Sequence, residues 1–353
     1  MGRTLLIVLT AVLIVVVVAL LISSTQKPQA IQKSAPASNT TIVLCIAGAY
    51  AAEGNALASA YANLTGARVV VKPGGSFALA GQIALGSPCD VFMPVAFRQA
   101  VVAAGPYNPG WAVAFVADSN VIVYSNASLA NFNATGLLEV YKKAIETNSS
   151  SAWYEFFYDL TSGRYPLGVA NPATDPEGLY AMLILEAAGR LYAGNEGFFV
   201  ERMAANRANV TRSSTFYYVV PLKEGQIAFV FSYRSYAEAN GLQYLELPPW
   251  LNFGDMNYAG WYSHFSWTIP IGGVPTAVEG APVYLYITIP KNAKNYDAAL
   301  DFLLFVLRNR GDLAKYGLTP LQKPLVFGNT SALPQQLREL LGNGTLQYGG
   351  PLS

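Results

Sequence analysis

Along this chain, short apolar runs end in glycine-rich turns and pass into longer alanine- and leucine-rich stretches. Ile42 to Ile46 predicts a strand, Ala47-Gly48-Ala49-Tyr50 a tight turn, and Ala51 to Leu64 a helix. Arg68 to Lys72 predicts a second strand closing on Pro73-Gly74-Gly75-Ser76, Phe77 to Leu85 a helix, and Asp90 to Met93 a third strand. Strand, turn and helix recurring at this spacing indicate an α/β layer with a mainly parallel sheet, whose ligand crevice lies at the carboxyl ends of the strands. Trp111 to Asn126 forms a longer extended run, suited to crossing between two lobes.

The pattern is sharpest from Val169 to Tyr180, where an apolar run crosses Asn171-Pro172-Ala173-Thr174 and enters a stretch, Ala181 to Ala188, that reads as a buried helix. Asp175 sits at the N-cap position, Pro176 at the first helical position and Glu177 in the first turn. Free N–H groups at such a helix start favour an anion. From this stretch alone, capping is the simpler account of Asp175. The two glycine turns converge on the same edge, and Ser76 adds a hydroxyl donor there. Neither turn continues into a Gly-Lys-Ser/Thr loop or a Gly-X-Gly-X-X-Gly spacing, so a nucleotide is not indicated.

Composition narrows the partners. Of 353 residues, 52% are hydrophobic and 12% charged, with a net charge of +1, so the chain can bury a large core and carries no basic face for nucleic acid. The run from Leu5 to Ile22, after Arg3, is long enough to cross a bilayer, which predicts a membrane anchor or signal over 1–24 and a flexible linker over 25–40. Eight Asn-X-Ser/Thr triplets, at Asn39, Asn63, Asn126, Asn133, Asn148, Asn209, Asn329 and Asn343, fit an extracytoplasmic, glycosylated domain. Cys45 and Cys89 suit buried free thiols or a disulfide. The single histidine, His264, lies among aromatic residues and cannot build a multi-histidine metal site.

Further along come Tyr233-Arg234-Ser235 and Ile289-Pro290-Lys291-Asn292-Ala293. With the Ala-Gly turn, the Gly-Ser turn, the Asp-Val-Phe strand and the Asn-Pro…Asp-Pro-X-Gly loop, they make the chain resemble the archaeal tungstate/molybdate-binding proteins of ATP-binding cassette importers, from about Thr41 to about Leu341. The resemblance implies a two-lobed periplasmic-binding-protein-like fold of type II, each lobe a mostly parallel sheet flanked by helices, following one N-terminal transmembrane helix. Lobe 1 would span 41–121 and 281–345, and lobe 2 would span 122–280. It implies no enzyme activity and no cofactor. The ligand would be tungstate or molybdate, and the partners a permease with its ATPase, served by a membrane-anchored monomer whose domain lies outside the cell.

Carried over position by position, the resemblance gives Ala49, Ser76, Asp175, Ser232 and Tyr233 as ligand-binding residues. Ala49 stands where the family has a serine, leaving a backbone N–H. Ser232 stands where many members have a second carboxylate. Asp175 matches a carboxylate that reaches the metal centre of the bound oxyanion, and Tyr233 a hydroxyl donor. A carboxylate facing the ligand favours tungstate or molybdate over sulfate, because only the former metals accept an added oxygen ligand. An Asp175 turned to its helix would favour a tetrahedral anion held by N–H groups and hydroxyls. Other readings are a different solute such as sulfate, an extracellular carboxylate-dependent hydrolase, and an adhesin using the aromatic segment 250–267.

Overall fold

Strand β1 (Thr41–Ala47) is apolar at nearly every position because it lies between two neighbours and under helices. The computed structural model describes residues 40–352. The anchor, nearly all of the linker, and the Asn39 acceptor site lie outside the described residues, among which no helix is long and apolar enough to cross a membrane.

Strand β2 (Arg68–Gly74) runs parallel to β1 from Thr41 opposite Arg68 to Ala47 opposite Gly74, and β3 (Val91–Met93) runs parallel on the other side. A helix, Ala51–Thr65, follows β1 and stops at Gly66, whose φ of 74° a side chain would resist. A second helix, Ser76–Ala84, follows β2. Cys45 and Cys89 form a disulfide with Cα atoms 5.9 Å apart, tying β1 to the residues before β3.

Strand β4 (Trp111–Ala117) then enters a second sheet, and only Asp118 and Ser119 separate it from β5 (Asn120–Tyr124) in a third. That third, five-stranded sheet has the order β7-β6-β8-β5-β9, with β6 at Leu167–Ala170, β7 at Val210–Arg212, β8 at Phe229–Tyr233 and β9 at Gln243–Glu246. A hairpin of β10 (Ser266–Ile271) and β11 (Val274–Glu279) precedes the return into the four-stranded sheet. There β12 (Tyr284–Ile287), β4, β13 (Thr319–Gly328) and β14 (Gln347–Gly350) lie side by side. The result is a two-domain α/β fold crossed at 118–119 and again at 280–283.

The expectation of mostly parallel sheets is corrected. The three-stranded sheet is parallel, but β4 is antiparallel to β12 and β13, and β5 to β8 and β9. The cause is the double crossing: the chain leaves the first lobe along β4 and returns along β12, so these neighbours run in opposite senses. The run from Trp111 to Asn126 crosses between the lobes as expected, as two strands in two sheets joined by Asp118 and Ser119.

Candidate functional site

Asp175 caps the helix Pro176–Ala188, as the Asp-Pro-Glu order predicts. Its Oδ1 accepts the N–H of Glu177 at 3.0 Å. Its Oδ2 accepts the N–H of Thr215 at 2.9 Å and the Thr215 hydroxyl at 3.4 Å. Burial raises the acid's pKa while these donors pull it back, so Asp175 has the partners that a buried charge requires. Every residue of that helix except Glu186 is buried, which fixes its N-terminus rigidly against the ends of β6 and β8.

The opposite lobe brings two chain turns to the same place. Gly48–Tyr50 forms a short 3₁₀ turn after β1, with Ala49 buried. Added bulk at Gly48 would strike the Ser214 side chain. Ser76, fully buried, starts the nine-residue helix after β2 and accepts the N–H of Val95 at 3.1 Å on its Oγ, leaving the hydroxyl hydrogen as its means of donating. The N–H groups of Phe77 and Ala78 at this helix start both donate to the carbonyl of Thr174 at 3.1 Å. A backbone oxygen of the second lobe thus sits where a helix start attracts an anion.

Tyr233 closes the arrangement from the end of β8. Its ring lies 5.5 Å from that of Tyr50 and 6.3 Å from that of Tyr180, and its buried hydroxyl has no hydrogen-bond partner among the described residues. Burial raises its pKa well above the phenol range, with Asp175 the leading charge beside it. Ala49, Ser76, Asp175 and Tyr233 therefore converge on one interlobe locus. Ser232 does not share its face, because adjacent residues of a strand point to opposite sides of the sheet. It is buried, and its Oγ is also without a partner.

Three further groups belong to this region. Glu177 is fully buried one helical position beyond Pro176, with no hydrogen bond to either carboxyl oxygen among the described residues. Asp118, between β4 and β5, accepts the Tyr50 hydroxyl of the first lobe at 3.1 Å and bonds the Ser235 hydroxyl of the second. Burial lifts it to about 6 despite these donors. Glu53, fully buried near Asp118, has no hydrogen-bond partner on its carboxyl oxygens among the described residues and is pushed by burial to about 8. Sequence reading places Glu177 only as a first-turn residue. Thr215 and Asp118 carry no local signal apart from neighbouring Ser residues that suit turns.

The remaining candidates resolve as packing. His264 is exposed, with Nδ1 at 2.7 Å from the Gly260 carbonyl and its ring beside Trp261. Among the described residues no group of three His, Cys, Asp or Glu could hold a metal ion. Within the aromatic segment Tyr262 and Phe265 are buried and the Trp261 indole donates to the Trp250 carbonyl at 2.8 Å, which removes the broad exposed patch an adhesin would need. A cavity of about 520 Å³ lies elsewhere, between Phe97, Arg98 and the return crossing at Glu279 to Pro282. The Phe97 ring packs against that of Tyr180 with centroids 4.8 Å apart, so two rings separate that cavity from the Tyr233 ring.

The sequence profile for bacterial extracellular solute-binding proteins matches residues 42–319. An uncharacterized solute-binding protein of Saccharolobus solfataricus is 47% identical over 320 residues, covering 90% of this chain and 79% of its own. A molybdate/tungstate-binding protein WtpA of Thermococcus kodakarensis is 26% identical over 222 residues, 56% of this chain and 60% of its own. The periplasmic molybdate-binding protein of Azotobacter vinelandii superposes with a TM-score of 0.55 over 80% of this chain and 100% of its own, a likeness of fold at 16% identity. With most of its globular part matched, the chain belongs to the bacterial extracellular solute-binding protein family, whose members bind solutes and are not enzymes.

Proposed function

We propose that this protein is the extracytoplasmic substrate-binding component of an ABC-type importer, closing its two lobes on tungstate or molybdate and delivering the anion to a membrane permease and its ATPase. The observation that carries this reading is the convergence of the Ser76 helix start, the Asp175 loop and an unpartnered Tyr233 hydroxyl at one interlobe locus. Donors from both lobes meet there, which suits a compact anion with acceptors on every side. The relative from Thermococcus kodakarensis, a molybdate/tungstate-binding protein, supports the same anions.

Coordination follows from Asp175. Its oxygens serve the Glu177 and Thr215 N–H groups, so the arrangement favours a tetrahedral oxyanion held by N–H groups and hydroxyls over a metal centre that gains a carboxylate ligand. That donor set also suits sulfate, which is the second reading. Capture would be reversible, by a monomer tethered outside the cell through residues 1–24.

Titration calorimetry of the full chain, kept soluble in mild detergent, with sodium tungstate, molybdate and sulfate tests this directly. Saturable heat with tungstate or molybdate at low micromolar concentration or below is the expected result. Binding of sulfate alone would select the second reading, and no heat with any of the three would remove the oxyanion assignment.

A further inference from the structure

A tetrahedral oxyanion is small, and the cavity beside the return crossing is not. That cavity, of about 520 Å³, has walls from both lobes: Phe97, Arg98 and Gln99 from the first, Ser263 and Glu279 from the second, with Ala281 of the crossing between them. Its volume falls in the range of sites for organic ligands, which gather where domains meet. The other wall positions are mostly small, Ala259, Ala277 and Gly280 among them, and so leave the space open. The Phe97 and Tyr180 rings set it apart from the Tyr233 locus.

The first lobe's wall is held by a backbone conformation that alanine adopts reluctantly. Ala96 is buried with a φ of 72°, in the left-handed region that disfavours a side chain. Hydrogen bonds on either side fix it there: the Val95 N–H donates to Ser76 Oγ at 3.1 Å, and the Ala96 N–H to the Tyr284 carbonyl at 2.7 Å. This turn delivers Arg98 to the cavity. The guanidinium lies 5.0 Å from the centre of the Phe327 ring and donates through Nη1 to the Pro351 carbonyl. Its other N–H groups meet no acceptor among the described residues, and no ion pair among them includes Arg98 or Glu279. The Ser263 hydroxyl donates to the Gly260 carbonyl at 3.1 Å, which leaves its lone pairs to accept.

Opposite charges on the walls of one cavity, neither neutralised by the other, match a ligand that carries both. We propose that this cavity is a second binding site, for a small organic zwitterion of the amino-acid class, with its carboxylate on Arg98 and its ammonium on Glu279. Guanidinium takes a carboxylate through two parallel N–H bonds, and the donors left over on Arg98 suit that pairing. A carboxylate lacking the amine meets Glu279 as a like charge, and an amine lacking the carboxylate meets Arg98 as one. Both singly charged fragments therefore bind more weakly than the zwitterion. Because the walls belong to both lobes, an occupant joins them across the return crossing. The site stands independently of the oxyanion reading.

The test is saturation-transfer NMR on the full chain in mild detergent with a mixture of the L-amino acids, then calorimetry with those that show transfer and with acetate and butylamine as singly charged probes. Variants Arg98→Gln, Glu279→Gln and Ala277→Trp are measured alongside, each checked for folding by circular dichroism. Ala277 is exposed on β11, so the tryptophan fills the cavity and leaves the core alone. The expected result is transfer from at least one amino acid that persists when tungstate is added, with affinity at least about tenfold above that for acetate or butylamine. Arg98→Gln and Ala277→Trp are expected to weaken it at least about tenfold and Glu279→Gln about threefold or more. No transfer from any amino acid, acetate bound as tightly as the amino acid, transfer abolished by tungstate, or variants that bind like wild type each overturn the proposal. None of these outcomes removes the oxyanion assignment, which its own titration decides.

Discussion

Two acid pairs in this protein show one arrangement of opposites. Asp118 is served by the Ser119 N–H, the Tyr50 hydroxyl and Ser235, while the carboxyl oxygens of nearby Glu53 meet no hydrogen-bond partner of ordinary geometry among the described residues; Asp175 is served by Glu177 and Thr215, while the Glu177 oxygens meet none of ordinary geometry among the described residues. Donors decide which member holds charge, since a carboxylate buried without them costs more than its proton does. Tyr233 follows the same logic from the donor side. Its hydroxyl is buried with no acceptor among the described residues, and such a group costs about 1–3 kcal/mol. Tyr233→Phe is therefore expected to leave the melting temperature unchanged or slightly raised while weakening oxyanion binding roughly tenfold, the scale of one hydrogen bond to a charged group. A Phe variant that loses stability and keeps its affinity would show that the hydroxyl serves the fold and not the ligand.

At the scale of elements, closure depends on how near two chain segments can come. Gly75 precedes the Ser76–Ala84 helix with φ of −60°, a conformation alanine adopts freely. Its constraint is space: a Cβ there would strike the Thr174 carbonyl and lie 2.9 Å from that of Ser213. Gly75→Ala is expected to fold normally and, by small-angle scattering without ligand, to show a larger radius of gyration than wild type. An unchanged radius would mean that the contact does not hold the lobes together.

What was legible in the sequence at this scale was whatever a few consecutive residues decide. Ile42 to Ile46 followed by Gly48 specifies a strand and turn, and Asp175-Pro176 specifies a helix start, because propensity, capping and backbone freedom act locally. Pairing is not local. Thr215 reaches Asp175 across 40 residues and Tyr50 reaches Asp118 across 68, and no periodicity encodes either. The antiparallel run of β4 against β12 and the joining of Cys45 to Cys89 likewise depend on where the chain returns, which the pattern of apolar positions leaves open. Of the candidate ligand set, Ser232 faces away from Tyr233, because alternation along β8 overrides adjacency.

For the whole molecule, the crossing between lobes carries a titratable load. Glu53, on the first lobe's first long helix, has a folded pKa of about 8 against 4.5 for a free glutamate, and Asp118, in the crossing itself, about 6 against 3.8. Both are raised, so the folded protein retains protons that the unfolded chain releases. Stability from these groups is complete below about pH 4 and is lost as pH rises to about 8, at about 1.4 kcal/mol for each pH unit over which one of them differs between the two states. Melting followed from pH 4 to 9 is expected to show this decline, and Glu53→Gln to flatten its upper half. A variant that declines as steeply as wild type between pH 6 and 8 would assign the effect elsewhere.

The Thr174 carbonyl on the amides of Phe77 and Ala78 makes the protein its own first occupant. On the proposed reading, an arriving anion has to displace a resident that is covalently attached and never diffuses away. If about nine molecules in ten are held in that self-satisfied state, the measured dissociation constant is about ten times the intrinsic one. On that reading the loop before the helix would set a threshold concentration, and residues that never touch the cargo, Thr174 among them, would tune how scarce it can become before uptake falls silent.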